Sequence, residues 1–464
     1  MPTIATASHS PNSGSTPPHL KRVLNLWDVV FYGIILTSPI AAVPLFGEAQ
    51  VLSRGHAVST LLIGMVAMSV TAISFGRMAH VYPASGSVYS YVSRTLNPHV
   101  GFILGWAMVL EYLFQPIQNA LYAVLAIQRL LPQVPFAVLS AVIIAFITLL
   151  ATRGIKFNAR TNQLLLGFML LITASFLVQA FRYVVLHQNP AALFSLKPVY
   201  NPATFDLRAL AAGTSFAALV FIGFDGVSIL AEEVKNPQRN ILVAAVLVCI
   251  FTGLFSGLQV YLAQRVWPDY TTLRTPETAF MDVARTVGGA LLFTSYGVVL
   301  VVSSLACGLA GHVGAARLLY SMGRDDVLPR GIFGHLSPKR GNPVYNEWLV
   351  GLAAYIAVLI LPWERCAEIV TFGALLAFTA VNFAALIHFR FSPSRQTKKE
   401  AKRNFFQDVI VPGFGCVFCF GLLLGLQPWT KYAGLLWLII GAMYAAYRTR
   451  WFKVRTPMID FSET

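Results

Sequence analysis

The chain has 464 residues, of which 56% are hydrophobic and only 11% are charged, and its mean hydropathy is +0.65. Soluble domains carry about 25% charged residues, so this composition excludes a water-soluble globular protein and indicates a protein whose main solvent is lipid. The net charge of +15 does not indicate a nucleic-acid-binding protein, because Lys and Arg occur in short clusters between apolar segments and form no basic stripe with interleaved aromatics.

Apolar segments dominate the chain after its first twenty residues. Residues 1–20 are rich in Ser, Pro, Thr and Asn and contain no apolar run, so we expect a disordered cytoplasmic tail and no signal peptide. A helix needs about 20 apolar residues to cross the hydrocarbon layer, and the pattern predicts an all-α polytopic membrane protein of about twelve transmembrane helices. The predicted spans are 27–47, 57–79, 98–128, 134–152, 158–187, 207–234, 240–266, 288–323, 344–361, 365–391, 406–427 and 430–450.

Clusters of basic residues lie in the loops between these spans. Loops rich in Lys and Arg stay in the cytoplasm, and a cytoplasmic N-terminus places most of the basic clusters on that side. We therefore expect a multi-pass protein of the cytoplasmic (inner) membrane with both termini in the cytoplasm. The segment between the second and third spans is too polar to cross, and its pattern of Val88, Tyr89, Tyr91 and Val92 predicts a short interfacial helix.

Two predicted spans are interrupted near their middle. In the first span, Pro39 cannot donate a backbone hydrogen bond. In the sixth span, glycines at both ends of the run Gly223-Phe224-Asp225-Gly226 permit unwinding. Non-helical backbone at membrane depth is tolerated where it lines a cavity or is buried in protein. Breaks at corresponding positions of two halves therefore predict an inverted-repeat transporter with its binding site at the midplane.

Two acidic residues lie near the middle of predicted spans, Glu111 in the third and Asp225 in the sixth. A charge at the bilayer centre is costly, and no basic residue at similar depth lies nearby in the sequence. An imported ammonium group would supply the missing counter-charge and hydrogen-bond donors. Two alternatives stay open: Glu111 is a neutral structural carboxyl, and Asp225 caps the N-terminus of a half-helix.

The other chemically reactive residues indicate no enzyme, no cofactor and no metal site. Cys416 and Cys419 have CxxC spacing, but they lie in an apolar segment without a His or Cys partner nearby, so core packing is expected. His312 in the eighth span is expected to be packed and hydrogen-bonded rather than to relay protons. The ionisable residues of the sequence form no nucleophile–base or metal-ligand constellation.

Five runs of residues, distributed over the chain, share one family pattern. They are Asn97-Pro98-His99-Val-Gly101, Glu111-Tyr112-Leu113-Phe114-Gln115-Pro116, Gly223-Phe224-Asp225-Gly226 with Glu232-Glu233, Gly308 through Arg317 to Pro329, and Phe372-Gly373-Ala374 to Asn382. The pattern resembles the amino acid–polyamine–organocation superfamily of permeases and, within it, the bacterial putrescine importer group. The resemblance covers nearly the whole chain from Lys21 to Thr464, and the eighth-span run is its most specific part.

The resemblance implies a leucine-transporter-like fold. Residues 21–391 would form a ten-helix core of two inverted five-helix repeats, and residues 392–464 would add two peripheral helices and a short cytoplasmic tail. It also implies uptake driven by a proton or ion gradient, with the substrate held between helices one, three, six, eight and ten. Carried over position by position, it places Thr37, Ser38, Glu111, Tyr112, Phe224 and Asp225 at the site, to which the two helix breaks add Pro39 and Gly223.

The chain departs from the family pattern in three places. Amino-acid-specific members usually have a glycine-rich break in helix one that holds the substrate carboxylate, whereas this break reads Gly33-Ile-Ile-Leu-Thr37-Ser38-Pro39. Pro44 stands where the putrescine importers carry an acid, which leaves one acid fewer for a diamine. Met169 stands where some members have a lysine in place of a sodium ion. The coupling ion, a proton or sodium, therefore stays open, with Ser303 or Ser304 as candidate ligands.

These observations favour a secondary active transporter that imports a small cationic amine, such as a putrescine-like polyamine. The alternative is a permease for neutral or cationic amino acids. A channel or a transport-fold sensor is less expected, because the sequence shows no selectivity ring and both tails are short. The expected partners are the amine or amino acid substrate, a coupling proton or sodium ion and the lipid bilayer, with no nucleic acid.

Overall fold

The computed structural model describes residues 24–82, 88–154, 159–188, 190–232, 234–324, 327–337, 341–391, 404–449 and 451. The predicted disordered tail, residues 1–20, lies outside these ranges. Within them the chain is helical, and its β-type pairing is limited to one isolated bridge between Leu24 and Val234. In chain order the α-helices are α1 Leu26–Thr37, α2 Ala42–Leu52, α3 Ala57–Val81, α4 Val88–Thr95, α5 Pro98–Leu130, α6 Phe136–Thr152, α7 Ala159–His187, α8 Leu207–Ala217, α9 Pro237–Val266, α10 Ala279–Arg324, α11 Arg330–Phe333, α12 Val344–Ile360, α13 Trp363–Phe391, α14 Val411–Gly425 and α15 Pro428–Arg448.

Most of these helices are long and apolar enough to cross a membrane. Among the described helices eight meet that requirement, and the bent pair of α1 and α2, taken as one span, makes nine. Two more apolar helices, α6 and α12, have 17 residues each. The chain is therefore an all-α polytopic membrane protein, as predicted, and the count of twelve spans stays a prediction.

Helix contacts repeat between the two halves of the chain. Counted as predicted, spans one to five are α1 with α2, α3, α5, α6 and α7, and spans six to ten are α8 with its continuation, α9, α10, α12 and α13. The first span packs on the seventh, and the sixth correspondingly packs on the second. The third span packs on the tenth, and the eighth correspondingly packs on the fifth. Exchange of the two halves leaves these contacts unchanged, as a five-plus-five inverted repeat requires. Of the last two helices, α14 packs on α3 and α13, and α15 packs on α5 and α13; the division into a ten-helix core and two peripheral helices stays a prediction.

The predicted interfacial helix is present as α4. Its residues Val88, Tyr89, Tyr91 and Val92 are all buried, and the helix packs against α5 and α13. The apolar side chains that were expected to lie at the membrane surface therefore face the helix bundle. The helix is confirmed, and its position at the cytoplasmic face stays a prediction.

The eighth predicted span begins where α10 bends. Gly289 has a φ of +63° inside Ala279–Arg324, so the helix consists of two segments joined at a kink. Glycine adopts this left-handed backbone without the steric cost that a Cβ would impose. The prediction of a span from residue 288 is confirmed, and a short helical segment precedes it.

Candidate functional site

The first span breaks between α1 and α2, which are bent by 58°. Ser38 has φ +60° and ψ 123°, a conformation that non-glycine residues rarely adopt. Its buried Oγ has no hydrogen-bond partner among the described residues. Gln259 of α9 donates its Nε2–H to the carbonyl of Pro39 at 2.9 Å, which satisfies a backbone group that the break leaves free. The predicted break is confirmed, and Gln259, which the sequence did not single out, stabilises it.

Thr37 is the last residue of α1. Its buried Oγ1 donates to the carbonyl of Gly33 at 3.2 Å and lies 3.0 Å from the hydroxyl of Thr252 on α9. The contact with Thr252 holds the end of α1 against the seventh span. Thr37 therefore fixes one edge of the break, while the hydroxyl of Ser38 remains available.

The sixth span loses its α-helical form over a longer stretch than predicted. Its α-helix ends at Ala217, and two 3₁₀ segments follow, Ala218–Phe221 and Phe224–Glu232. Between them Gly223 has a φ of +113°, and a Cβ at this position would lie 3.1 Å from the carbonyl oxygen of Leu36. The break at Gly223 is confirmed, and the two broken spans are in direct backbone contact there.

Two adjoining cavities meet at the first-span break. The larger, of about 440 Å³, extends from Ser38 along α7 and α10 to Arg317. The smaller, of about 150 Å³, extends towards Pro44 of α2 and Trp363 of α13. Both are lined by Leu36, Ser38, Gln115, Ser303 and Cys307. Of the predicted site residues, Thr37 also lines the smaller cavity and Pro39 the larger one.

The two predicted acids lie on different spans, close enough for the charge of Asp225 to act on Glu111. Glu111 and Asp225 are each half-buried and interact electrostatically. Asp225 Oδ1 accepts a hydrogen bond from the backbone N–H of Gly223 at 3.3 Å, so it caps the break. Glu111 lies one helical turn before Gln115, on the same face of α5. In the part of the chain that the structure describes, neither carboxylate forms an ion pair.

The predicted aromatic residues occupy different surroundings. The ring of Tyr112 lies beside Gly314, where a Cβ would be 3.6 Å from it, and Gly314 lines the larger cavity. Phe224 is fully buried, with its ring centroid 5.8 Å from that of Phe75 and 5.1 Å from that of Phe378. Its ring belongs to an aromatic cluster between the sixth, second and tenth spans. Its role as a lining residue stays a prediction.

The candidate ion ligands and the eighth-span histidine lie on α10. Ser303 and Ser304 both line the smaller cavity, and Ser303 also lines the larger one together with Met169 of α7. Their role in ion coupling stays a prediction. His312 is buried, and its Nε2 lies 2.9 Å from the carbonyl oxygen of Glu347. The interpretation of His312 as a packed, hydrogen-bonded residue is confirmed.

Cys307 provides a chemical probe of the cavities. It is exposed and lines both of them, whereas Cys366 is buried. In single-cysteine variants we expect N-ethylmaleimide to label Cys307 at least about tenfold faster than Cys366, because a thiol reacts only where the reagent has access. Transported substrate should slow the labelling of Cys307 and not that of Cys366. Equal labelling rates, measured by mass shift, would show that the cavities do not admit solutes.

The sequence matches the family model for amino acid permeases over residues 34–447. It is 29% identical to the low-affinity putrescine importer PlaP of Escherichia coli (strain K12) over 453 residues, which are 98% of this chain and 99% of that protein. It is 27% identical to the branched-chain amino acid permease BcaP of Lactococcus lactis subsp. cremoris, with 93% and 96% of the two chains covered. It is 27% identical to the methylthioribose transporter of Bacillus subtilis, with 91% and 92% covered. These proteins are named for different substrates, so the similarity identifies a type of protein and leaves the substrate open.

Proposed function

This chain belongs to the amino acid permease family, and from that premise we propose that it is a secondary active transporter for a small cationic amine. The substrate class is a putrescine-like diamine, imported across the cytoplasmic membrane with both termini of the chain on the cytoplasmic side. A proton or sodium gradient drives the import. The family match over residues 34–447 and the similarity to a putrescine importer along nearly the whole chain support this proposal.

The observation that carries the proposal is the presence of two acids, Glu111 and Asp225, within electrostatic range of each other on two different spans. Two half-buried carboxylates from different spans interact with each other, and no ion-pair partner for them is found among the described residues. A diamine brings two ammonium groups, and each forms charge-assisted hydrogen bonds with a carboxylate. The substrate thereby replaces the mutual repulsion of the two acids by attraction.

A permease for amino acids is the second candidate, and the first-span break favours it. Helix α2 begins at Ala42, directly after the break, so the positive end of its dipole lies at the break. This dipole end suits the carboxylate of an amino acid, while Glu111 suits its ammonium group. The similarity to a branched-chain amino acid permease supports the same candidate.

The part of the cavity wall that α10 forms is a candidate binding site for the coupling ion. Ser303 lines both cavities, and Met169, which lines the larger one, carries no charge that would replace an ion. We place the coupling proton or sodium ion near these residues. Uptake that persists without sodium and stops with a protonophore would identify the proton, and uptake that requires a sodium gradient would identify sodium.

Uptake by the purified protein in proteoliposomes tests the proposed function. We expect uptake of radiolabelled putrescine, inhibited by unlabelled putrescine and spermidine more strongly than by arginine or neutral amino acids. Liposomes without protein are the control for leakage. Uptake of leucine or arginine without uptake of putrescine would support the second candidate. Failure to transport any of these solutes would contradict both candidates.

A further inference from the structure

Three glutamates from distant parts of the chain converge beside the smaller cavity. They are Glu48 of α2, Glu277 in the 3₁₀ turn Pro276–Thr278 and Glu364 in the first turn of α13. Each is half-buried, and carboxylate oxygens of all three lie within 4.8 Å of one another. We call this group the Glu48 cluster. Glu48 lies one helical turn after Pro44, which lines the smaller cavity.

The charges around the Glu48 cluster are negative. The electrostatic interactions of Glu48 are with Glu364, Glu277 and Glu368. Three basic side chains of the neighbouring segments have other partners. Arg129 pairs with Asp282, Arg365 lies over the ring of Trp429, and the Nζ of Lys431 donates to the carbonyl of Leu424. Within the described ranges the cluster therefore forms no ion pair with Lys or Arg. Like charges at this spacing repel one another, so a cation stabilises them.

Two buried aromatic residues connect the cluster to the cavity. Tyr122 is 4% exposed and Trp363 is 2% exposed, and their ring centroids are 5.5 Å apart. Neither the hydroxyl of Tyr122 nor the Nε1–H of Trp363 has a hydrogen-bond partner in the described part of the chain. Tyr122 is within the electrostatic field of Glu277, and Trp363 precedes Glu364. Both aromatic residues line the smaller cavity. Residues next to the cluster thus line the same cavity as the first-span break.

The geometry of the cluster suits an ammonium group. Two oxygens that accept hydrogen bonds of about 2.8 Å from one tetrahedral nitrogen lie roughly 4.6 Å apart, and oxygens of the three carboxylates lie within 4.8 Å of one another. The aromatic rings of Tyr122 and Trp363 are surfaces that favour an organic cation. We propose that the Glu48 cluster is a second binding site for an ammonium group of the amine substrate, occupied before the substrate reaches Glu111 and Asp225. This inference rests on the proposed function.

Glu277→Gln in proteoliposomes tests the inference. We expect the KM for putrescine to rise about tenfold, because one charge-assisted contact is lost, while the maximal rate changes by less than about twofold, because the Glu111 site is intact. The KM for a neutral amino acid, if one is transported, should not change. Glu277→Asp, which keeps the charge, should restore most of the affinity.

Asp269→Asn is the matched control. Asp269 lies in the same segment between α9 and α10, but its carboxylate accepts hydrogen bonds from Thr271 within its own loop. Its removal takes one negative charge from the same segment and should change the KM for putrescine by less than about twofold, because an exposed charge is screened. Glu364→Gln provides a second variant of the cluster, and it should raise the KM as Glu277→Gln does.

The outcomes separate the two proposals. Wild-type protein that takes up no amine contradicts the proposed function, and the cluster assignment with it. Wild-type uptake of putrescine with an unchanged KM in both Glu277→Gln and Glu364→Gln overturns the cluster assignment alone. If these variants raise the KM for a neutral substrate equally, the cluster has a structural role, and the cluster assignment is again overturned. Wild-type uptake that a Ca²⁺ chelator abolishes and Ca²⁺ restores would assign the cluster to a metal ion instead.

Discussion

Replacement of Glu111 by glutamine is expected to lower the apparent affinity for putrescine about 10- to 100-fold. The substitution keeps the size and shape of the side chain but removes a charge-assisted hydrogen bond, a loss of roughly 1.5–3 kcal/mol. Asp225→Asn should cause a similar loss for a diamine, because each ammonium group needs its own carboxylate. For a neutral amino acid the two variants should differ, since only one acid binds its single ammonium group. The measurement is concentration-dependent uptake in proteoliposomes.

Asp408→Asn is the control for the loss of a buried carboxylate. Asp408 is 5% exposed, but it pairs with Arg77 of α3, away from both cavities. Its replacement should lower thermal stability, because it leaves a half-buried guanidinium without its partner, and should leave the affinity for putrescine unchanged. If Glu111→Gln keeps the wild-type affinity for every transported substrate, Glu111 is a neutral structural carboxyl and the amine-binding proposal is wrong.

Gly223→Ala is expected to reduce the transport rate at least about tenfold while the protein still inserts and folds. A φ of +113° places an L-residue in a disfavoured region, at a cost of about 1–3 kcal/mol. The added Cβ would also lie 3.1 Å from the carbonyl oxygen of Leu36, which must shift. Because this contact joins the two broken spans, the shift moves the backbone beside the binding site. The measurement is uptake per folded molecule, with folding verified by size-exclusion chromatography.

Gly226→Ala is the matched control in the same break. A Cβ at Gly226 would meet the Cδ1 of Leu36 at 2.5 Å, the end of a flexible side chain that moves at little cost, and Gly226 does not have a positive φ. We expect transport within about threefold of the wild type, since the end of a leucine side chain can move to another rotamer. Equal rates for wild type, Gly223→Ala and Gly226→Ala would show that the contact between the two breaks does not govern transport.

Much of the fold was predictable because its signals are local. An apolar run of about 20 residues must be a helix in lipid, where every backbone group needs an internal partner. Pro39 and Gly223 marked the two breaks for equally local reasons, the missing N–H of proline and the freedom of glycine. The sixth span was predicted less well, because nothing local distinguishes its 3₁₀ segments from α-helix. The inward direction of α4 was also missed, since its pattern suits a lipid surface and a helix bundle equally.

Part of the candidate site was predictable and part was not. Glu111 and Asp225 were identifiable because a carboxylate in an apolar span is costly and therefore unusual. Gln259, Gln115 and Cys307 carry no such signal, since polar and small residues are frequent in transmembrane helices. Their importance follows from position: Gln259 reaches the carbonyl of Pro39, and the other two line both cavities.

The sequence by itself determined that this protein is a polytopic α-helical membrane transporter, that its first and sixth spans are broken and that two acids lie within its spans. Each of these properties depends on the composition or chemistry of a short segment. The tertiary structure alone decided that Gly223 touches Leu36, that Phe224 packs in an aromatic core and that Glu48, Glu277 and Glu364 converge. Residues separated by about 90 to 320 positions meet only through helix packing, and the shapes of the packed faces set that packing rather than any local pattern.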